Sequence, residues 1–594
     1  MSLRWISASL LLISLWVPTF AQDQDANVPE LFRDEVLLEV VSIDVVVADR
    51  KGRLVEGLTA EDFELTVDGR QVEITNFYAM GEAPGRLSSD AAGPSPVGDT
   101  AQVPKNTEDD AVSPGAETTS VVVFFDNSRT APGGRRRLLN DLPAFLETQT
   151  AAGRRVMVIA YDQGNAEILA PLTRDVDQLK DALVQVDNLK ASGIQRRLEH
   201  RQVMDDVITI FNSCPTQNTG DDAEDTSSRC QCAPRMISRA EVYSAELDGQ
   251  RAGSFASLDN VISALGALEG RKTFLYVSDG IEQQTALDVF HYIREICPDT
   301  STSNRDMRLD GQAAFDSLVE HANANRVTFY SLEASGVQGF SSHSAAQGDE
   351  SPFDVTGRAS ALNDQRRVAN SQSGLFFMAN ETGGKAVLNA NHFDEDLAKI
   401  DEETVGYYSL GYSPGYPAEG RSHRVAVRLP KHKKYELRYR RSFLHKDPDR
   451  QLAERALGAY LFGVERNPLG ASVAAGTPAA LTDGKVQVPI EVRVPLTELT
   501  FLPGEQKRQA RLTLVVAAPG KNGRRTEIRK KELTIEAPLD AATSPPEYRV
   551  GVHVDLPPGD YELAVGLRDD IGETASFLKL PVSLASAAAS PSGD

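Results

Sequence analysis

Val41, Ile43, Val45 and Val47 are set against Ser42 and Asp44, the two-residue period of a strand with one buried face within residues 36–47. Phe63, Leu65 and Val67 repeat that pattern. Asp68-Gly69 follows, then Val72 and Ile74, and this predicts a hairpin because Gly tolerates positive φ. Residues 36–80 therefore read as a small β unit. Residues 81–118 are rich in Pro, Gly, Ser, Asp and Ala, show no periodicity and read as a flexible linker.

The pattern changes at residue 120. Ser120-Val121-Val122-Val123-Phe124-Phe125 is a near-continuous apolar run, as expected of a strand covered on both faces, and it ends in Asp126-Asn127-Ser128-Arg129-Thr130. A helix is predicted from Arg135 to Thr150, a second buried strand from Arg155 to Tyr161, and a helix from Val176 to Leu189. Thr273 to Val277 is a third strand, ending in Ser278-Asp279-Gly280. A helix near 311–325 and a strand from Val327 to Leu332 follow. This β/α alternation predicts an α/β domain over residues 119–400, with a parallel doubly wound sheet and a site at the carboxyl ends of its strands. The Cys-containing stretch 212–235 reads as a loop insertion.

Residues 404–443 return to β character through Tyr407 to Tyr412, Val425 to Leu429 and Tyr435 to Tyr439. A hairpin unit is marginal alone, so 36–80 and 404–443 are expected to pair into one β-sandwich into which the α/β domain is inserted. Residues 450–466 predict a helical connector. From 484 to 584 the chain reads as short strands separated by turns, beginning with the alternation of Val486, Val488, Ile490, Val492 and Val494. That spacing suggests a second sandwich of immunoglobulin-like type. The tail from Ala585 is small and polar.

The net charge of −23 over 594 residues argues against a nucleic-acid partner. Arg4, the apolar run from Leu10 to Val17 and the small residues of Thr19-Phe20-Ala21 predict a signal peptide cleaved after Ala21, with an uncleaved anchor as the alternative. The mature chain is then secreted or periplasmic, without a transmembrane segment: no later stretch approaches the length of apolar sequence a bilayer requires. The four cysteines, Cys214, Cys230, Cys232 and Cys297, predict two disulfides in an exported chain. Three connectivities are open, with Cys230–Cys232 the least favoured because its ring is so small. The rival is a metal site, but the paired C-x-x-C units of zinc knuckles are missing.

Asp126, Ser128 and Thr130 form D-x-S-x-T at the end of the first buried strand. They present one carboxylate and two hydroxyls, the hard oxygens that magnesium takes while keeping several waters. Asp279 ends a strand predicted to reach the same edge. Together with Ala160-Tyr161-Asp162, Pro171-Leu172-Thr173 and Tyr276-Val277-Ser278-Asp279-Gly280, this resembles the von Willebrand factor A (vWA) family. Further pieces resemble one subgroup of it, the exported VWFA-related family abundant in acidobacteria. They are Gly270-Arg271-Lys272, Ala322 to Tyr330, Glu381 to Lys385 and Tyr407 to Pro414. The resemblance covers residues 36 to 445. It implies a metal-ion-dependent adhesion site (MIDAS), built from a D-x-S-x-S loop, a Thr from a second loop and an Asp from a third. There a divalent cation, Mg2+ or else Mn2+ or Ca2+, bridges to an acidic residue of a protein partner. In this chain Thr130 replaces the usual Ser, Ser257 is the best substitute for the second-loop Thr, and Arg129 stands where the family usually carries Gly. A cation beside the metal disfavours it.

Competing motifs carry less. Gly411-Tyr412-Ser413-Pro414-Gly415 fits the nucleophile-elbow string of hydrolases, but Pro414 lacks the N–H that must face the oxyanion. Arg135-Arg136-Arg137 reads as a solvated helix start. Tyr407, Tyr408, Tyr412 and Tyr416 read as strand packing. Asp126 and Ser128 equally suit capping of the turn and helix that follow. The expectation is a binding protein that is not an enzyme: adhesion or interaction through a divalent cation, alternatively a metal-independent scaffold using loops such as 336–360. A metal-assisted hydrolase using Asp126 and Asp279 ranks last.

Overall fold

The computed structural model describes residues 40–79, 119–162, 164–215, 229–268, 270–298, 311–337, 357–414, 420–444, 446–462, 467–481, 484–503, 507–518, 527–538, 546–572 and 574–584. The signal peptide expected over residues 1–21, the linker 81–118, most of the 336–360 loop, residues 216–228 and the tail from Ala585 lie outside them.

Four strands come first: β1 (Val41–Ala48), β2 (Glu64–Val67), β3 (Arg70–Val72) and β4 (Asn76–Ala79). The α/β part then runs β5 (Ser120–Asp126), α1 (Pro132–Ala151), β6 (Arg155–Asp162), β7 (Asn165–Thr173), α2 (Val176–Asn188), α3 (Gly193–Ser213) and α4 (Ala233–Leu265). It continues through β8 (Lys272–Ser278), α5 (Leu287–Ile296), α6 (Gly311–Ala324), β9 (Val327–Glu333), α7 (Gly357–Glu381), β10 (Ala386–Val387) and α8 (Asp394–Val405). Its six strands lie in the order β10-β9-β8-β5-β6-β7.

β5, β8 and β9 are buried along their whole length, which explains their unbroken apolar sequence. Val121, Val123 and Phe125 pack under α1, α2 and α8, while Val122 and Phe124 pack under α4, α6 and α7. The sheet departs from the all-parallel expectation at one edge. β7 runs antiparallel to β6, joined to it by a tight turn at Gly164, whose φ of 92° favours glycine. Pro171 within β7 is tolerated because an edge strand leaves one side unpaired.

The loop insertion expected over the Cys-containing stretch 212–235 has its middle, residues 216–228, outside the described residues. Its described ends are the last turn of α3 and a short 3-10 turn, Cys230–Cys232, leading into α4. Disulfides Cys214–Cys232 and Cys230–Cys297 tie α3, α4 and the end of α5 together. Val203, Val207, Met236, Tyr243, Leu247, Phe290 and Ile293 fill the space between these helices.

The chain then adds β11 (Tyr408–Tyr412), β12 (Ser422–Arg428), β13 (Glu436–Tyr439) and β14 (Ser442–Leu444). These interleave with the first four strands. One sheet has the order β13-β1-β11-β4, the other β14-β12-β2-β3, and both combine strands from before and after the α/β part. Ile43, Val45, Leu65, Leu410, Val427 and Phe443 form the core between them.

α9 (Pro448–Phe462) leads to β15 (Ser472–Ala475), β16 (Ala479–Ala480), β17 (Val486–Pro495), β18 (Leu502–Pro503), β19 (Lys507–Ala518), β20 (Glu527–Pro538), β21 (Glu547–Leu556), β22 (Gly559–Asp569) and β23 (Thr574–Leu584). These form two sheets around a common core that includes Val488, Ile490, Leu514 and Val565. Leu452, Ala453, Ala456 and Leu457 of α9 cover Val515, Ala517 and Ala564 on the outer face of one sheet. Among the described residues no helix is long and apolar enough to cross a membrane.

Candidate functional site

The carboxyl ends of β5 and β8 are neighbours, with Phe125 in register with Val277, so Asp126 and Asp279 emerge on the same edge of the sheet. Asp126 is fully buried. Its Oδ1 accepts a hydrogen bond from the Ser128 hydroxyl, and its Oδ2 accepts one of 2.7 Å from the Tyr276 hydroxyl. Burial first, and then the neighbouring Asp126 charge, pushes the Tyr276 phenol well above its usual range, so it stays a proton donor.

Arg129 decides what this loop can do. Its side chain is 2% exposed, and its Nε lies 3.6 Å from Asp126 Oδ2. On its other side, Nη1 donates to Glu282 Oε2 at 3.1 Å. Glu282 also accepts from Arg196 Nη2 of α3 at 2.9 and 3.0 Å. Burial alone would raise the Glu282 carboxyl, but Arg196 and Arg129 outweigh it and hold it down at about 2. Burial likewise opposes the charge on Arg129, yet Glu282 and Asp126 raise its pKa. Arg251 of α4 fixes the backbone of this loop by donating to the carbonyls of Glu282 and Gln283, each at 3.0 Å.

Asp279 faces a different set of groups. Its Oδ2 accepts from the Ala131 backbone N–H at 3.0 Å and from Arg197 Nη2 at 2.8 Å. Ala131 is the N-cap of α1 and makes no side-chain cap of its own, so Asp279 serves that helix end from another strand. Burial dominates its titration and raises its carboxyl pKa, with Arg197 and the Ala131 N–H opposing. Gly134 lets α1 approach this closely, because a Cβ there would sit 2.2 Å from the Ala334 carbonyl oxygen.

The residues expected to hold a cation thus meet only in part. Asp126, Ser128 and Asp279 reach the edge. The Thr130 hydroxyl turns back to donate to the Asp126 carbonyl at 2.7 Å, which closes the loop. Ser257 lies on α4, with its hydroxyl 3.5 Å from the Gly164 carbonyl in the β6–β7 turn. Neither Asp126 nor Ser128 caps α1. The Arg135–Arg137 run is also not a simple solvated start. Arg135 is buried and donates to Asn127 Oδ1 at 2.9 Å and to the carbonyls of Asp187 and Leu189. Arg137 binds the carbonyls of Ala334 and Ser335, leaving Arg136 as the exposed member. Ser413 follows the last residue of β11 in the sandwich, away from this edge.

These residues do not fit a divalent cation. A guanidinium already neutralises Asp126. Two unit charges 4 Å apart interact by about 4 kcal/mol near a protein surface, so a divalent ion on the same carboxylate would meet repulsion of about 8 kcal/mol. Among the described residues no group of three or more His, Cys, Asp or Glu is gathered to hold a metal ion. Arg129, Glu282, Arg196 and Tyr276, not Thr130 or Ser257, complete the cluster. The signal for them was the placement of Arg129 inside the D-x-S-x-T loop and of Glu282 three residues beyond Asp279.

The sequence matches no protein-family profile and no curated relative. Two solved structures show a distant likeness. The structural-genomics target SoR45 is 17% identical, with a TM-score of 0.14, over 20% of this chain and 85% of its own. The open conformation of the pilus adhesin SpaC from Lactobacillus rhamnosus GG is 9% identical, with a TM-score of 0.20, over 74% of this chain and 53% of its own.

Proposed function

We propose that this chain is an exported protein-interaction or scaffolding module, built on a vWA-type α/β domain that engages its partner without a divalent cation. The vWA assignment is supported by the resemblance in residues 36–445 and by the strand order with a single antiparallel edge strand. Export is supported by the two disulfides, which persist in oxidising compartments. The observation that carries the metal-free reading is the buried Arg129 guanidinium between Asp126 and Glu282. The two sandwiches present it, and its loops supply the contact surface.

The experiment is capture of exported proteins on the immobilised mature chain, in parallel with Mg2+ and with EDTA. Retention of the same proteins under both conditions supports the reading. Capture that needs Mg2+ and is lost in Asp126→Ala returns the site to cation-bridged adhesion. Turnover on a hydrolase panel, lost in Asp279→Ala, makes the chain an enzyme instead.

A further inference from the structure

We infer that the Arg129 guanidinium is the resident cation of this edge and Glu282 the acidic ligand it holds, so the chain contains both halves of a cation-bridged contact. This assignment concerns the chemistry of the edge and is independent of whether the domain docks a partner.

Asp126 stands at the end of the central strand, fully buried, with both carboxylate oxygens turned to donors of this chain. The guanidinium beside it is held by charge more than by hydrogen-bond geometry. Its Nε is 3.6 Å from the Asp126 oxygen, beyond hydrogen-bond length, and Nε and Nη2 are buried without hydrogen-bond partners. Arg135, by contrast, uses both terminal nitrogens, Nη1 and Nη2, on three oxygens and leaves only Nε without a partner. Arg129 instead lies between two carboxylates, as a bridging ion does. Glu282 reaches it from the loop after β8, a neighbouring strand, and that loop is pinned by Arg196 and Arg251. The carboxylate is therefore placed by the fold and does not have to be brought by a second molecule.

Removing the guanidinium leaves a buried carboxylate with no counter-charge, beside the Ser128 hydroxyl. An isolated buried charge is costly, so the site should then recruit an ion from solution. The test is Mn2+ titration of the mature full-length chain by calorimetry, with free Mn2+ followed by electron paramagnetic resonance. The wild type is expected to show no saturable binding at millimolar Mn2+. Arg129→Gly is expected to bind at least about 100-fold more tightly, about a third of the repulsion removed, and to lose that binding when Asp126→Asn is added. Arg129→Gln, which keeps most of the side-chain volume, decides the matter where the glycine variant fails to fold by near-ultraviolet circular dichroism. Folded variants that acquire no Mn2+ site overturn the assignment. So does a wild-type chain that binds Mn2+ saturably and loses it in Asp126→Asn, whatever the variants do. Partner capture plays no part in this readout, so failure here and failure of the interaction reading are separately visible.

Discussion

Arg129 Nη1 lies 3.1 Å from Glu282 Oε2, a pairing between loops that follow two neighbouring strands and are 153 residues apart in sequence. Only 2% of the arginine side chain and 23% of the glutamate side chain are exposed. Removing the glutamate charge takes the carboxylate from Arg196 and leaves Arg129 with Asp126 alone, at a cost of about 3 kcal/mol. Glu282→Gln is therefore expected to lower the stability of the α/β part by that amount in urea unfolding.

The same pair sets an acid sensitivity. Folding depresses the Glu282 carboxyl from 4.5 to about 2. Between those values the unfolded chain binds a proton that the folded chain refuses. The stabilisation is thus complete above 4.5 and is lost as pH falls toward 2. After discounting for partial exposure, the wild type should lose about 2 kcal/mol more than Glu282→Gln over this window. Urea midpoints at roughly pH 6 and pH 3 measure it, and equal acid losses in both proteins would assign the effect elsewhere.

Tyr276 supplies a hydroxyl to Asp126 Oδ2 at 2.7 Å from the strand next door. Tyr276→Phe keeps the ring stacked near Phe124 and removes only that donor from a buried carboxylate. A loss of about 2 kcal/mol is expected. If the hydroxyl were instead part of a catalytic relay, the change would abolish a turnover while leaving the urea midpoint unmoved.

The continuous apolar runs of β5, β8 and β9 placed Asp126 and Asp279 at strand ends, because a strand covered on both faces has no other sequence. The helices around the disulfides were harder to read. α3 buries only Gly193, Val203 and Val207, so its apolar stripe is thin, and α4 buries Ala and Ser among its larger residues. Period-based reading depends on contrast between faces, and these faces offer little. β7 was concealed by Pro171, which argues for a strand only once its edge position is known. Partners in the Arg129 cluster come from α3, α4 and the loop after β8. Their convergence is a property of strand order, which no local pattern encodes.

The two disulfides should contribute unequally. Cys230–Cys297 closes a separation of 67 residues and Cys214–Cys232 one of 18. Loop-closure entropy assigns them about 4 and about 3 kcal/mol respectively. Replacing Cys230 and Cys297 together by Ser should lower the urea midpoint more than replacing Cys214 and Cys232. The reverse order would mean that packing among α3, α4 and α5, not chain entropy, dominates the difference.

Asp44 of β1 joins the first sandwich to the α/β part through Arg326, whose Nη2 donates to both carboxylate oxygens at 3.0 and 3.2 Å, while the Ser409 hydroxyl donates to Oδ1 at 3.0 Å. Burial raises the Asp44 carboxyl, but Arg326, Arg271 and Arg440 more than reverse this and leave it below its usual value. The sign is again that of a depressed acid: the contribution is present above the ordinary 3.8 and is lost as pH falls below it. Asp44→Asn keeps a hydrogen-bond acceptor but leaves three guanidiniums without this counter-charge, a loss of about 3 kcal/mol. Because Asp44 sits at a junction, the loss should be local. Amide exchange should accelerate in β1 and β11 while β5 and β8 stay protected. A double-mutant cycle with Arg326→Ala should give a coupling of more than about 1 kcal/mol. Additive effects, or exchange that rises equally across both parts, would show that the pair does not hold the junction.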